Sequence, residues 1–408
     1  MFNLQLDLDR PAKISSQLSE HILRVRLLPN GDRTANLPLQ LAVALDTSAS
    51  MQGEKWEQAK IAFEKLVAHL QPDDRLSFAG FADWVTPVVQ NLPADQLCDL
   101  QSTLNTLIPA GVTRTDLAIN WIQSTLSQEP GRVRVGILIT DGHLTTAQGE
   151  ILADVTPVIN QAIALSQAGM TLCVVGLGNA ADFNSAFLVN LSDRGQGKFL
   201  YADRPSQLSI LLQNYLQKAH QITIDHATIK LNLAAGVQLK SCCQFRPDYL
   251  PLTLNNSQNI HLRNLQTHTP TDILLALEAP ILSPSQLPGT YIIAQIQLQT
   301  LEFPPVLAQV GLKFTPSYRE AQQINTEIDR DRLCWDINRF STELTTINDP
   351  LQTCELLSQI QASALKTGQI AIASQATQQL DQLYKTGQLT AHQTTELLRA
   401  TRKIGEVE

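Results

Sequence analysis

The chain has 408 residues, of which 43% are hydrophobic and 17% are charged, and its net charge is -8. This length suits two or three domains, and the hydrophobic content excludes intrinsic disorder over most of the sequence. Because acidic residues outnumber basic ones, we expect the chain to bind neither nucleic acid nor anionic lipid.

The N-terminal segment and the cysteines predict a soluble protein of the cytoplasm. Residues 1–10 contain neither the basic nor the apolar region of a secretory signal. No segment approaches the roughly 18 consecutive apolar residues that cross a bilayer, so we expect no membrane insertion. The six cysteines form no C-x-x-C pair, which argues against a zinc site.

Residues 1–37 are predicted to supply the first strands of a β-sandwich module. Apolar residues alternate with polar ones over 2–8, and a second strand-like run covers 22–27. A period of two is typical of half-buried strands in an antiparallel sheet.

Residues 38–219 predict a doubly wound α/β domain with a mostly parallel sheet. Short apolar runs, typical of strands, occupy 39–45, 76–82, 135–139, 171–177 and 198–201. Helical patterns lie between or beside them, around 56–70, 94–107, 115–127, 152–168, 182–191 and 205–218. Uninterrupted apolar strands between helices indicate a sheet that is covered on both faces.

The rest of the chain predicts a β-sandwich over 220–316 and a helical region over 317–408. An isolated strand pair is marginal in water, so residues 1–37 are expected to pair with 220–316. The α/β domain is then inserted in the sandwich module; a sandwich that simply follows it is the alternative. In the helical region, Gly368 and Gly387 are expected to interrupt a helical hairpin.

Polar residues follow the predicted strands at positions where oxygen ligands could meet. Asp46 ends one apolar strand and is followed by Ser48 and Ser50, whereas Asp141 follows another such strand. Thr113 lies just before a predicted helix. In open α/β sheets the functional crevice lies beyond the carboxyl ends of the strands. These oxygen donors suit Mg²⁺, Mn²⁺ or Ca²⁺, although D-x-S-x-S alone also fits a turn with a helix cap.

These three segments, in this order, resemble the von Willebrand factor A domain and its metal-ion-dependent adhesion site. Asp46, Ser48 and Ser50 match the D-x-S-x-S of the family, Thr113 matches the threonine of its second loop, and Asp141 matches its later aspartate. The resemblance covers residues 38–219, about half of the chain.

The resemblance implies a protein-binding role rather than catalysis. In the family's pattern, the two serines and the threonine ligate Mg²⁺ (or Ca²⁺ or Mn²⁺) directly, and the aspartates ligate directly or through water. The ion keeps an open coordination position, which an Asp or Glu of a partner protein fills. A non-enzymatic scaffold is therefore expected, and its arrangement with a β-sandwich is similar to that of inter-α-inhibitor-like proteins.

Several alternatives remain open at this point. Thr115 could replace Thr113 as the ligand, although the spacing from Gly111 favours Thr113 and a helix-capping role for Thr115. Residues 176–181 match the dinucleotide pattern G-x-G-x-x-A, but on a late strand rather than the first βα turn. The protein could also be an adaptor of a MoxR-type or chelatase-type AAA+ ATPase, or a metal-dependent hydrolase with His143 as its base.

Overall fold

The structure is a computed structural model that describes residues 2–30, 35–97, 102, 104–126, 131–252, 259–266, 268–282, 286–347 and 349–405. The chain divides into two compact units. One consists of 35–225 with 390–395, and the other of 1–34 with 226–389 and 396–408. Within the described residues, no helix has both the length and the hydrophobicity needed to cross a membrane.

Strands and helices are numbered here along the chain. The strands are β1 (Phe2–Leu8), β2 (Ala12–Ile14), β3 (Ser19–Pro29), β4 (Leu39–Asp46), β5 (Arg75–Phe81), β6 (Val85–Pro93), β7 (Val133–Thr140), β8 (Thr171–Leu177), β9 (Phe199–Ala202), β10 (Ile224–Leu233), β11 (Gln238–Arg246), β12 (Leu250–Leu252), β13 (Asn259–Leu265), β14 (Thr271–Ala279), β15 (Gly289–Thr300) and β16 (Val306–Thr315). The helices are α1 (Glu54–Ala68), α2 (Thr115–Thr125), α3 (Thr156–Gln167), α4 (Ser185–Arg194), α5 (Leu208–Ala219), α6 (Tyr318–Ala321), α7 (Thr326–Glu343), α8 (Pro350–Thr367), α9 (Ile370–Thr386) and α10 (Ala391–Arg402).

The unit around residues 35–225 is built on a six-stranded sheet in the order β6-β5-β4-β7-β8-β9. Its strands are parallel except β6, which runs antiparallel to β5. Every residue of β4 is buried: Leu41 and Val43 face the core beneath α1 and α5, whereas Ala42 and Ala44 face the core beneath α2, α3 and α4. The predicted doubly wound, mostly parallel sheet is confirmed.

The chain leaves β4 and β7, which are neighbours in the sheet, toward opposite faces. Helix α1 follows β4 on one face, and α3 is the next helix after β7 on the other. Such a switch in direction opens a crevice at the carboxyl ends of the two strands. Leu45 lies beside Ile139 in the strand register, so Asp46 and Thr140 end these strands side by side.

The other unit contains two five-stranded sheets and the C-terminal helices. The sheet orders are β1-β3-β14-β11-β12 and β13-β10-β15-β16-β2. Strand β3 pairs antiparallel with β14, so strands that precede and follow the α/β unit in sequence share one sheet. Residues of α7–α10 pack with Ile22, Phe245 and Leu274 of that sheet in one hydrophobic core. The bounds of the four segments given above, 1–37, 38–219, 220–316 and 317–408, stay predictions.

The sequence patterns were wrong about three local features of the fold. Strand β3 is not half-buried: Arg24 is buried along with the apolar residues, because helices cover the face that Arg24 shares with Ile22. Strand β6 was missed, since its exposed polar residues and Pro87 resemble a loop. The helix expected over 94–107 begins as a 3₁₀ turn at Ala94–Gln96, and residues 98–101 and 103 lie outside the described residues.

The C-terminal region is helical as predicted, but it is not a simple hairpin. Four helices of 12 to 18 residues follow one another, α7 to α10. Helices α8 and α9 end at Gly368 and Gly387, both with a φ of 77°. This left-handed conformation favours glycine, so the two predicted interruptions are helix C-caps.

Candidate metal centre

All five predicted ligands lie at or beside the crevice between β4 and β7. Asp46 is the last residue of β4 and Asp141 directly follows β7. Ser48 and Ser50 belong to the turn after β4, and Thr113 lies in the loop before α2. Both carboxylates are fully buried, whereas Ser50 is exposed. The site is thus open to solvent on the side of Ser50.

The hydroxyls and one carboxylate converge on a small space beside Gly142. Ser48 Oγ lies 3.0 Å from Ser50 Oγ, which donates to Asp141 Oδ1 at 2.8 Å. A Cβ atom placed on Gly142 would lie 3.3 Å from Thr113 Oγ1 and 3.6 Å from Ser50 Oγ. Glycine therefore leaves a cradle lined by oxygen atoms from three separate segments.

Asp46 is held from two directions at the end of β4. Its Oδ1 accepts the backbone N–H of Ser48 at 2.8 Å, and its Oδ2 accepts the hydroxyl of Thr140 at 2.6 Å. Complete burial raises the pKa of Asp46 to about 6; the nearby Asp141 carboxylate adds to the rise, and the hydrogen bonds from Ser48 and Thr140 oppose it. Because burial makes the charged form of Asp46 unfavourable, a neighbouring cation would stabilise this carboxylate.

A lysine that the sequence patterns did not single out completes the surroundings of Asp141. Lys55, in the first turn of α1, donates to Asp141 Oδ2 at 2.5 Å. Its side chain passes over Gly178, where the φ is +91° and a Cβ would lie 3.0 Å from Lys55 Cε. A Cβ on Gly176 would lie 2.7 Å from the ring of Phe183. The glycines of the dinucleotide-like pattern thus make room for protein side chains.

Hydrogen bonds from backbone N–H groups join the loops around the site. Ala49 N donates to Gly111 O at 3.2 Å, and Ala110 N donates to Thr47 O at 2.8 Å. The backbone N–H of Thr113 donates at 2.9 Å to the side-chain Oγ1 of Thr145, which lies in the loop after β7. The three ligand-bearing segments therefore hold one another in place.

The capping role expected for Thr115 is wrong. Thr115 is the first residue of α2, and the N-cap position belongs to Arg114, whose side chain makes no capping hydrogen bond. Arg114 instead forms a two-pronged ion pair with Asp116, at 2.9 and 2.7 Å. His143, the candidate base, is half-buried in the loop after β7.

The donor set fits a hard divalent cation. Its atoms are carboxylate and hydroxyl oxygens, which Mg²⁺ and Ca²⁺ prefer, and it contains no thiolate or imidazole. Over the described residues, no group of three or more His, Cys, Asp or Glu is placed to hold a metal. The hydroxyls of Ser48, Ser50 and Thr113 are therefore needed to complete a ligand set.

The raised pKa of Asp46 makes the stability of the metal-free protein depend on pH. The folded state binds the proton of the Asp46 carboxyl group more tightly than the unfolded state does. The stability that this protonation contributes is therefore fully present below about pH 4 and is lost as the pH rises through about 6. In chelator, we expect Asp46→Asn to be more stable than wild type at pH 7, by about 3 kcal/mol at most.

Urea denaturation of both proteins in chelator between pH 4.5 and pH 7.5 checks this expectation. Taking the difference between the two proteins cancels the contributions of the carboxylates that do not interact with Asp46. The unfolding free energy of Asp46→Asn should exceed that of wild type by an amount that grows with rising pH, because only wild type carries a buried carboxyl group that ionises. A difference that stays constant over this range would contradict the account of Asp46.

Comparisons with known proteins agree with this architecture. Residues 40–214 match the family model of the von Willebrand factor type A domain. The uncharacterized protein sll0103 of Synechocystis is 26% identical over 299 residues, which cover 71% of this chain and 68% of that protein. Human inter-alpha-trypsin inhibitor heavy chain H1 is 26% identical over 203 residues, 47% of this chain and only 21% of that protein.

A solved structure extends the likeness to nearly the whole chain. A von Willebrand factor type A protein from Catenulispora acidiphila superposes with a TM-score of 0.79, covering 99% of this chain and 97% of that one. The sequence identity is 14%, so this likeness concerns the fold alone.

Proposed function

Because residues 40–214 form a von Willebrand factor type A domain, we propose that the chain binds a partner protein through a divalent cation at the carboxyl ends of β4 and β7. The observation that carries this proposal is that Ser50 Oγ and Thr113 Oγ1 meet in the space beside Gly142, where Ser50 Oγ also contacts Ser48 Oγ and Asp141 Oδ1. Relatives with the same domain support an interaction module rather than an enzyme.

The chain offers two kinds of ligand to the cation. The hydroxyls of Ser48, Ser50 and Thr113 would bind it directly, and Asp46 and Asp141 would bind it directly or through water. When bound, Mg²⁺ (or Ca²⁺ or Mn²⁺) supplies a coordination position that a carboxylate of the partner can fill.

The charges of the site favour an acidic partner group. The two carboxylates balance a divalent cation, and the ammonium of Lys55, at 2.5 Å from Asp141, adds a further positive charge. The loaded site would therefore carry an excess positive charge in a partly buried setting, where electrostatic attraction is stronger than in water. An Asp or Glu of the partner satisfies both the coordination position and this charge.

Paired threonine variants test the proposal and decide between the two candidate threonines. Thr113→Val removes one hydroxyl but keeps the shape, and we expect at least about tenfold weaker Mg²⁺ binding, since even residues that only orient ligands contribute that much. Thr115→Val is the matched control, because this threonine lies two residues further along the chain and its side chain is also buried. Isothermal titration gives both affinities.

A pull-down from the native host, in Mg²⁺ and in chelator, extends the test to the partner. Capture should require Mg²⁺ and should be lost with Thr113→Val but kept with Thr115→Val. Equal capture in chelator would overturn the proposal. The adaptor role for an AAA+ ATPase stays a prediction, and the same experiment would detect such an ATPase among the captured proteins.

A further inference from the structure

We propose that the partner's acidic residue is flanked by uncharged apolar side chains, which pack on an apolar rim beside the metal centre. The rim consists of Trp84, Ile108 and Ile151. This inference rests on the proposed function and specifies the kind of segment that the site receives.

The three rim residues are unusually exposed for their size. Trp84 is 70% exposed, Ile108 79% and Ile151 64%, whereas most large apolar side chains of this unit lie in its two cores. Single exposed apolar residues are common, but several that surround one functional site indicate an interaction surface.

Each rim residue lies on a loop that is bonded to a ligand-bearing segment. Trp84 is in the loop after β5, where Arg114 N donates to Ala82 O at 3.3 Å and the Asp83 carboxylate fills the space beside Gly111. The rim residue is thus positioned next to the loop that carries Thr113.

The other two rim residues are placed in the same way. Ile108 immediately precedes Pro109, whose carbonyl accepts Gln52 Nε2 at 3.1 Å, just beyond the turn that carries Ser50. Ile151 forms a β-bridge with Thr145, whose N–H donates to Thr113 O at 3.0 Å. The rim therefore borders the site on the loops after β5, before α2 and after β7.

Charges on these loops restrict the partner further. Asp83 adjoins Trp84, Glu150 adjoins Ile151, and both acids are exposed. Arg114 is occupied by its ion pair with Asp116. Additional acids in the partner segment would be repelled by the rim, so one acid at the metal and apolar neighbours on both sides fit best.

Three synthetic peptides of ten residues test this inference directly. Each contains one central Glu with two flanking residues on either side. The flanking residues are Phe and Leu in the apolar peptide, Ser in the serine peptide and Asp in the aspartate peptide. In Mg²⁺, fluorescence anisotropy should show the apolar peptide binding about tenfold or more tightly than the serine peptide, since a buried Phe or Leu contributes that much. The aspartate peptide should bind most weakly.

Variants then connect the preference to the rim. Trp84→Ser and Ile108→Ser should remove the advantage of the apolar peptide while leaving Mg²⁺ affinity unchanged. Ile210→Ser is the matched control, because Ile210 is 61% exposed in the same unit but lies on α5. It should bind all three peptides like wild type.

The outcomes separate this inference from the proposed function. Mg²⁺-dependent binding without preference for apolar neighbours, or rim variants that behave like Ile210→Ser, would overturn the inference and leave the proposed function standing. No detectable binding of the apolar peptide would also overturn it. Binding that is equal in chelator, or unchanged when the central Glu is replaced by Gln, would overturn the proposed function as well.

Discussion

Replacing both Ser48 and Ser50 by alanine is expected to weaken Mg²⁺ binding more than about 100-fold while the protein stays folded. Even residues that only orient metal ligands contribute about 10–100-fold to affinity, and this variant removes two of the proposed oxygen ligands. Ser50 is exposed and the two hydroxyls bond mainly to each other and to site carboxylates. Their loss therefore costs the fold little.

Isothermal titration with Mg²⁺ measures the first effect, and thermal unfolding in chelator measures the second. Ser124→Ala is the matched control, since that exposed hydroxyl in α2 only donates to Trp121 O at 2.9 Å. It should bind Mg²⁺ like wild type. Wild-type affinity for Mg²⁺ in the double serine variant would mean that the cation is held by other residues.

Replacing Asp272 by alanine is expected to lower the unfolding free energy of the unit that contains the two five-stranded sheets by about 3–5 kcal/mol. Asp272 is fully buried on β14 and lies directly opposite Arg26 of β3 and Arg246 of β11 in the strand register. Arg26 binds both of its oxygens, at 2.7 and 2.9 Å, and Arg246 binds Oδ2 at 2.8 Å. Without this carboxylate, two partly buried guanidinium groups lose a shared partner.

The same ion-pair group joins the sheet to the C-terminal helices. Arg246 also binds both oxygens of Asp331 in α7, at 2.9 and 2.7 Å. Hydrogen bonds and charge from Arg26 and Arg246 lower the pKa of Asp272 against the opposing effect of its burial. Its contribution to stability is therefore present above about pH 4 and is lost as the pH falls further.

Urea denaturation at pH 7 compares Asp272→Ala with Glu327→Gln. Glu327 also contacts Arg24 and Arg26, but its side chain is 57% exposed. Without the Glu327 charge, the buried Arg24 keeps the carboxylates of Asp7 and Asp331, at 3.4 and 3.5 Å, so Glu327→Gln should cost much less stability than Asp272→Ala. Similar losses in the two variants would contradict the importance given to burial.

The residues of the candidate metal centre could be predicted from the sequence where they follow apolar strands. Asp46 comes directly after the apolar run of β4, Asp141 follows the apolar run of β7 with only Thr140 between them, and the ends of parallel strands meet at one edge of a sheet. The crevice between β4 and β7 follows from the opposite directions in which the chain leaves them. The family resemblance added Thr113, which no periodicity distinguishes from Thr115.

Lys55 and Thr140 could not be predicted from the sequence because their local patterns are ordinary. A lysine in the first turn of a helix is typical of an exposed face, and a threonine at the end of a strand fits any β-strand. Their contacts, to Asp141 Oδ2 and Asp46 Oδ2, depend on tertiary structure. The burial of Arg24 on β3 was missed for the same reason, since the helices that cover it come about 300 residues later.

A crystal soaked in Mn²⁺ and measured near the manganese absorption edge tests the central claim most directly. The account predicts an anomalous peak in the cradle beside Gly142, bounded by the hydroxyls of Ser48, Ser50 and Thr113, and its absence from crystals of the double serine variant. A saturating soak that leaves this cradle without a peak, or a peak that persists in the variant, would contradict the account.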